Sequence, residues 1–320
     1  MVLRERFEAH RQPVSLLLGG LIGVLGAAFV LRGAWREWGH VHTAISVEQL
    51  PWALAAFVVA ALGITGIGMA WRRALALLGI HVSTTRALLW YFVGQLGKYA
   101  PGGIWAVVGR GELATREGQG RARAYGAVAV SMAGTWFAAA IALATIAPFT
   151  PDFPTIAAAI VGATVIALGL LFIHPSVIHL LLRLLRRYIP ATPALVIPPW
   201  PWSLKFLALH LPSWGAIGLA TYLVSVAVGA AAPLPAVAAA AIASWIIGFV
   251  VVPVPGGLGV REASFALLAS WVTDGPWATV AIVARVLFML VDLGGAGTMV
   301  LLRTIIPASL RQSPLDDWDG

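Results

Sequence analysis

The sequence predicts an all-α polytopic membrane protein, with about six full spans and two interrupted hairpins arranged as an inverted-topology repeat. Three observations lead there. Apolar residues make up 60% of the chain and charged residues 11%, whereas a soluble domain has roughly 25% charged residues. The apolar runs extend for about 18–27 residues, the length of a membrane helix. A breaker also recurs inside them. Residues 94–104 read GQLGKYAPGGI and residues 248–258 read GFVVVPVPGGL, each with Gly, six residues, then Pro-Gly-Gly and a branched aliphatic.

Taken in order, Arg4, Arg6 and Arg11 precede an apolar run at 14–31. That run is longer than a signal-peptide core and ends at Arg32 without a small-x-small cleavage site, so it reads as an uncleaved first helix. Further full spans fall at 51–71, 124–147, 154–173, 203–228 and 277–302. The two interrupted segments are 86–116 and 236–272. Each is too short for two crossings plus a turn, which need about 40 residues. Pro101 and Pro255, with Gly102, Gly103, Gly256 and Gly257, break the helix in each. Freed backbone groups cannot face lipid, so each segment reads as a re-entrant hairpin surrounded by protein or a water-filled cavity.

Charge sets the orientation. With both termini cytoplasmic, the inner loops and termini hold sixteen of the 21 basic residues, and the outer loops hold only Arg32 and Arg36. This satisfies the positive-inside rule only if the first hairpin enters from the cytoplasm and the second from outside. The breaks are 154 positions apart, and the same offset carries the span near 51 to 205 and the span near 124 to 278. The division is thus a first repeat over 1–153 with hairpin 86–116, a second over 154–304 with hairpin 236–272, and a cytoplasmic tail over 305–320. Paired breaks in two inverted halves point to a transport-type site. Trp35, Trp38, Trp52, Trp71, Trp200 and Trp202 read as interfacial. Residues 175–189 read as an amphipathic surface helix or a solvated basic loop.

Several classes of function are disfavoured. The net charge of +8 is spread over short loops, the pattern of membrane orientation, so no nucleic-acid partner is expected. Cys is absent, and the seven His residues have no metal-ligand spacing. There is no phosphate loop, dinucleotide fingerprint or nucleophile elbow. The expectation is a non-enzyme without metal or cofactor.

What remains are charges at membrane depth, which are costly and mark functional sites by default. Lys98 precedes the first Pro-Gly-Gly, and Arg110 and Glu112 follow it. Arg261 and Glu262 follow the second, and Arg285 and Asp292 lie seven residues apart in the last span. The half-helices after each break present unpaired N–H groups and a positive dipole end, which favour an anion. Lys98, Arg110, Arg261 and Arg285, with the backbone at Gly102, Gly103, Gly256 and Gly257, make a candidate site for a phosphate or other anionic lipid headgroup. Glu112, Glu262 and Asp292 would balance charge or carry a proton. The alternative is that Arg285–Asp292 or Arg110–Glu112 are structural ion pairs.

The stretch Gly97 to Trp105 (GKYAPGGIW), with Arg110 and Leu113, resembles the first signature of the lysylphosphatidylglycerol synthase transmembrane-domain, or flippase-like, family. Pro253 to Ala263 (PVPGGLGVREA) resembles the second, and Arg285 is similar to an Arg in that family's last span. The resemblance implies a protein of lipid or lipid-linked glycan handling. Some members carry an appended aminoacyltransferase or glycosyltransferase domain, which this chain lacks, so the synthase activity does not transfer. The expectation is a plasma-membrane transporter moving an anionic phospholipid or a polyprenyl-phosphate-linked glycan between leaflets by alternating access at the hairpin tips. The rival reading is a non-catalytic subunit presenting lipid to a separate glycosyltransferase or aminoacyltransferase.

Overall fold

The computed structural model describes residues 46–100, 104–150, 199–230, 232–250 and 259–305, with isolated positions elsewhere. The expected spans at 14–31 and 154–173, the segment 175–189 and the tail after 305 lie wholly or mostly outside the described residues. So do all six residues of the two Pro-Gly-Gly breaks.

The described elements are helices: α1 Leu50–Leu77, α2 Thr84–Gln95, α3 Trp105–Arg116, α4 Arg121–Ile146, α5 Trp200–Ala208, α6 Leu211–Ala227, α7 Leu234–Val250, α8 Val260–Ser270 and α9 Trp277–Ile305. Four stretches are long and apolar enough to cross a membrane: Val47–Leu77, Arg121–Phe149, Trp200–Ala227 and Trp277–Ile305. They coincide with the expected spans at 51–71, 124–147, 203–228 and 277–302. The third is not one helix. α5 stops at Ala208 and α6 begins at Leu211. Pro212 has no N–H to donate, and its ring collides with the carbonyl four residues back, which is that of Ala208. At this joint His210 is fully buried, and its Nδ1 lies 2.9 Å from the Phe206 carbonyl.

Small residues let the long helices approach closely. A Cβ built on Gly63 of α1 would lie 3.1 Å from both the Ala216 methyl and the Ser213 carbonyl, and one on Gly66 would strike the Ser213 hydroxyl. The contacts step backwards along α6 as they advance along α1, so the two helices are antiparallel. The hairpin arms α2 and α3 are antiparallel too. Gly94 lies on Arg110, and a Cβ on Gly97 would come within 2.6 Å of the Trp105 carbonyl carbon.

The packing has a two-fold pattern. α1 touches α2 and α4 as α6 touches α7 and α9. α3 touches α2 and α4 as α8 touches α7 and α9. Across the halves, α4 packs on α7 as α9 packs on α2, and α1 packs on α9 as α6 packs on α4. The last residues of α3 and α8, Arg116 and Ser270, are 154 positions apart.

The two ends of the bundle differ in charge. Glu117 pairs with Arg86 at 3.0 Å and with Arg303 at 3.5 Å, gathering the start of α2, the end of α3 and the end of α9. Arg121 at the start of α4 pairs with Glu112, and Arg72 Nε near the end of α1 donates to the Val82 carbonyl at 3.1 Å. The start of α2 and the end of α3 therefore lie at this basic end. The opposite end holds the start of α1, the end of α4, the start of α7, and the turn from α8 to α9. Its described residues within 46–50, 146–150, 228–234 and 270–277 include Glu48 and Asp274 but no Lys or Arg.

Trp71 corrects an expectation. It is fully buried rather than interfacial. α1 continues to Leu77, so Trp71 lies more than a turn inside the helix end, where it meets Arg110.

Candidate functional site

A cavity of about 380 Å³ opens between the halves. Each half supplies walls from corresponding positions: Ile67 and Thr221, Tyr91 and Trp245, Gln95 and Phe249, each pair 154 residues apart. Four of the expected cations, Lys98, Arg110, Arg261 and Arg285, line this one space, together with Glu262.

Two cations have carboxylate partners. Lys98 Nζ lies 2.6 Å from Asp292 Oδ2, and the Tyr99 hydroxyl donates to the same oxygen at 2.5 Å. Asp292 is fully buried, and its Oδ1 has no hydrogen-bond partner among the described residues. The short 3-10 turn Leu96–Tyr99 aims Lys98 and Tyr99 at α9. Arg285 of α9 pairs with Glu262 of α8. Glu262 has a second task. Gly259 has φ 79°, a left-handed conformation suited to glycine, and its N–H donates to Glu262 Oε2 at 2.6 Å. One carboxylate thus closes the first turn of α8 and holds α8 on α9. Seven residues apart, Arg285 and Asp292 let a single helix grip both hairpins.

The other two cations are different. Arg110 is 5% exposed and donates from Nε to the Ala106 carbonyl at 3.3 Å. Its guanidinium lies 5.6 Å from the Trp71 ring and 5.7 Å from the Tyr91 ring. Among the described residues, neither Arg110 nor Arg261 forms an ion pair with a carboxylate. Each instead presses its stem on a glycine of the opposite hairpin arm. A Cβ on Gly94 would lie 2.5 Å from Arg110 Cγ, and one on Gly248 would overlap Arg261 Cγ.

The site therefore gathers Lys98, Arg110, Arg261, Arg285, Glu262 and Asp292. The expected structural pairs Arg285–Asp292 and Arg110–Glu112 do not form, because each of these carboxylates has another partner. Glu112 is bound by Arg121 and accepts from the Tyr125 hydroxyl at 2.8 Å, away from the cavity lining. Pro101, Gly102, Gly103, Pro255, Gly256 and Gly257 lie outside the described residues. Sequence reasoning missed Tyr91, Tyr99 and Trp245. The offset of 154 relates Tyr91 to Trp245 and is the signal that could have found those two.

A family model for the lysylphosphatidylglycerol synthase TM region matches residues 16–294, covering both hairpins and every charged residue of the cavity. The chain belongs to that family. None of the curated proteins matches the chain. The chain is an integral membrane protein, and the family's description ties it to lipid modification. Among the described residues, its apolar helices surround a cavity lined by Lys98, Arg110, Arg261, Glu262 and Arg285.

Proposed function

We propose that the protein is a flippase-like lipid transporter that moves an anionic phospholipid, or a polyprenyl-phosphate-linked glycan headgroup, across the membrane. The observation that carries this reading is the pair Arg110 and Arg261, one from each hairpin, facing one cavity without a carboxylate of their own. A buried cation without a counter-charge is strongly unfavourable. A site that sets one buried guanidinium, Arg110, beside a half-buried one, Arg261, neither paired with a carboxylate among the described residues, favours an anion, and guanidinium binds phosphate bidentately.

The repeated packing supports an inverted-topology repeat, with α1 and its counterpart α6 antiparallel. The basic end of the bundle supports a cytoplasmic face there. It also supports a first hairpin that enters and leaves from that face, with the second hairpin doing so from the other. Rocking of one half against the other would expose the cavity to each leaflet in turn. The headgroup would lie between Arg110 and Arg261 while the tail stays in lipid. In this reading the protein moves its lipid without changing it chemically and works in the plasma membrane. Glu262 and Asp292 are the groups available to carry a proton.

The test is transport by purified protein in liposomes, following a fluorescent phospholipid with an anionic phosphate. Wild type should equilibrate it between leaflets at least about tenfold faster than protein-free liposomes, and the Arg110→Gln/Arg261→Gln double variant should not. Movement at the protein-free rate by folded wild type would overturn the reading.

A further inference from the structure

We infer that the headgroup this cavity accepts is a dianionic phosphate, a phosphomonoester or a diphosphate, held between Arg110 and Arg261. This rests on the cavity being the anion site proposed above and adds the charge of its ligand.

Four cations, Lys98, Arg110, Arg261 and Arg285, stand against two carboxylates, Glu262 in the lining and Asp292 beneath Lys98. The surplus is two positive charges. It is also localised. Lys98 is neutralised by Asp292 and Arg285 by Glu262, which leaves one uncompensated guanidinium on each hairpin. The stretches joining Ala100 to Ile104 and Val250 to Gly259 contain only Pro, Gly, Val and Leu. Trp71 and Tyr91 offer Arg110 a ring face, which attracts a cation but carries no net charge.

A phosphodiester headgroup with one negative charge would satisfy one guanidinium and leave the other buried and unpaired. A doubly ionised phosphate satisfies both, with oxygens to spare for a bidentate contact on each side. Gly94 and Gly248 let the two arginine stems lie flat on the opposing arm, and both side chains line the cavity.

The experiment measures binding to purified full-length wild type by ligand-dependent thermal stabilisation. It is run at pH 8, above the second ionisation of a phosphomonoester at about 6. The probes are phosphatidic acid, phosphatidylglycerol with the same acyl chains, and pyrophosphate. Phosphatidic acid should bind at least about tenfold more tightly than phosphatidylglycerol, because one lipid leaves a buried charge unpaired and the other does not. Gln95→Glu adds one negative charge to the lining and removes no cation. It should lower that preference at least about threefold, by weakening phosphatidic acid more than phosphatidylglycerol.

Equal affinity for the two lipids, with both lost in Arg110→Gln, would overturn the dianion inference and leave anionic-lipid transport standing. Binding of neither lipid by folded protein would overturn both. Pyrophosphate, which carries more than two negative charges at pH 8, binding more tightly than phosphatidic acid with the same Gln95→Glu sensitivity would overturn the dianion and assign the site to a soluble polyphosphate.

Discussion

The two hairpins share a backbone plan but not a chemistry. Both have a glycine on the entering arm that receives an arginine stem from the leaving arm, Gly94 under Arg110 and Gly248 under Arg261. Both are held by α9. The first hairpin brings a cation, Lys98, to the carboxylate of Asp292, whereas the second brings a carboxylate, Glu262, to the cation of Arg285. At the repeat offset the glycines correspond, but the charges do not. Arg110 corresponds to Ser264, Arg261 to Val107, Lys98 to Val252, Glu262 to Val108, Arg285 to Ser131 and Asp292 to Ala138. The packing recurs at this offset, where close helix approach demands small residues at equivalent places. Charges are constrained only by the need for partners in space, so each half reached its arginine and its α9 contact by a different route.

The sharpest break of this comparison is at Asp292. Asp292→Ala removes the only carboxylate on Lys98 among the described residues, and also the acceptor for Tyr99, deep in the bundle. Leaving a buried charge unpaired costs about 3–5 kcal/mol. Unfolding in mild detergent should show a loss of that size, and Lys98→Met in the same background should recover part of it. A loss below 1 kcal/mol would mean that the first hairpin is not anchored through α9. The matching change in the second hairpin, Glu262→Gln, should cost less, about 1.5–3 kcal/mol. Exposure does not separate the two pairs, at 25% and 1% for Lys98 and Asp292 against 14% and 20% for Arg285 and Glu262, so the difference rests on the replacement: an amide of the same shape instead of a methyl. Gln also keeps an oxygen for the Gly259 N–H.

The apolar helices were legible in the sequence because span length is written in apolar runs. Pro-Gly-Gly and the preceding Gly recur at a fixed offset, and four of the expected spans reappear within a few residues. The gathering of Lys98, Arg110, Arg261 and Arg285 was legible because a charge at membrane depth is conspicuous against so apolar a background. Their partners were not. Arg285–Glu262 and Lys98–Asp292 join residues far apart in the chain, and helical spacing suggested the nearer pair Arg285–Asp292 instead. Glu112 looked like a site residue because it is two positions from Arg110, but two positions on a helix point to different faces. The break before α6 was missed because Pro212 lies in an otherwise uninterrupted apolar stretch.

The glycines sharpen the comparison at the level of packing. The three atoms nearest a Cβ on Gly94 are all from Arg110: Cγ at 2.5 Å, and the backbone N and Cα at 2.8 and 3.1 Å. Backbone atoms give way only by moving the whole arm. Around Gly248 the nearest atoms are all from the Arg261 side chain, which can swing. Gly94→Ala should therefore destabilise by about 1–3 kcal/mol, and Gly248→Ala by less than about 1 kcal/mol. Thermal unfolding of the two variants side by side measures this. Equal losses would show that the hairpins tolerate a wider gap alike, and that their packing is more symmetric than their atoms suggest.

The smallest effect belongs at the basic end. Glu117 meets Arg86 at 3.0 Å and Arg303 at 3.5 Å, but the two arginine side chains are 38% and 55% exposed. Ion pairs this open to water contribute about 0–1 kcal/mol. Glu117→Gln should lower stability within that range, and the loss should shrink as salt is raised. Asp292→Ala should keep its full penalty in the same salt series, since a buried charge is screened far less. If both losses faded together with salt, Asp292 would have to be reached by solvent, and the contrast between a buried anchor at the cavity and a loose clasp at the bundle end would fail.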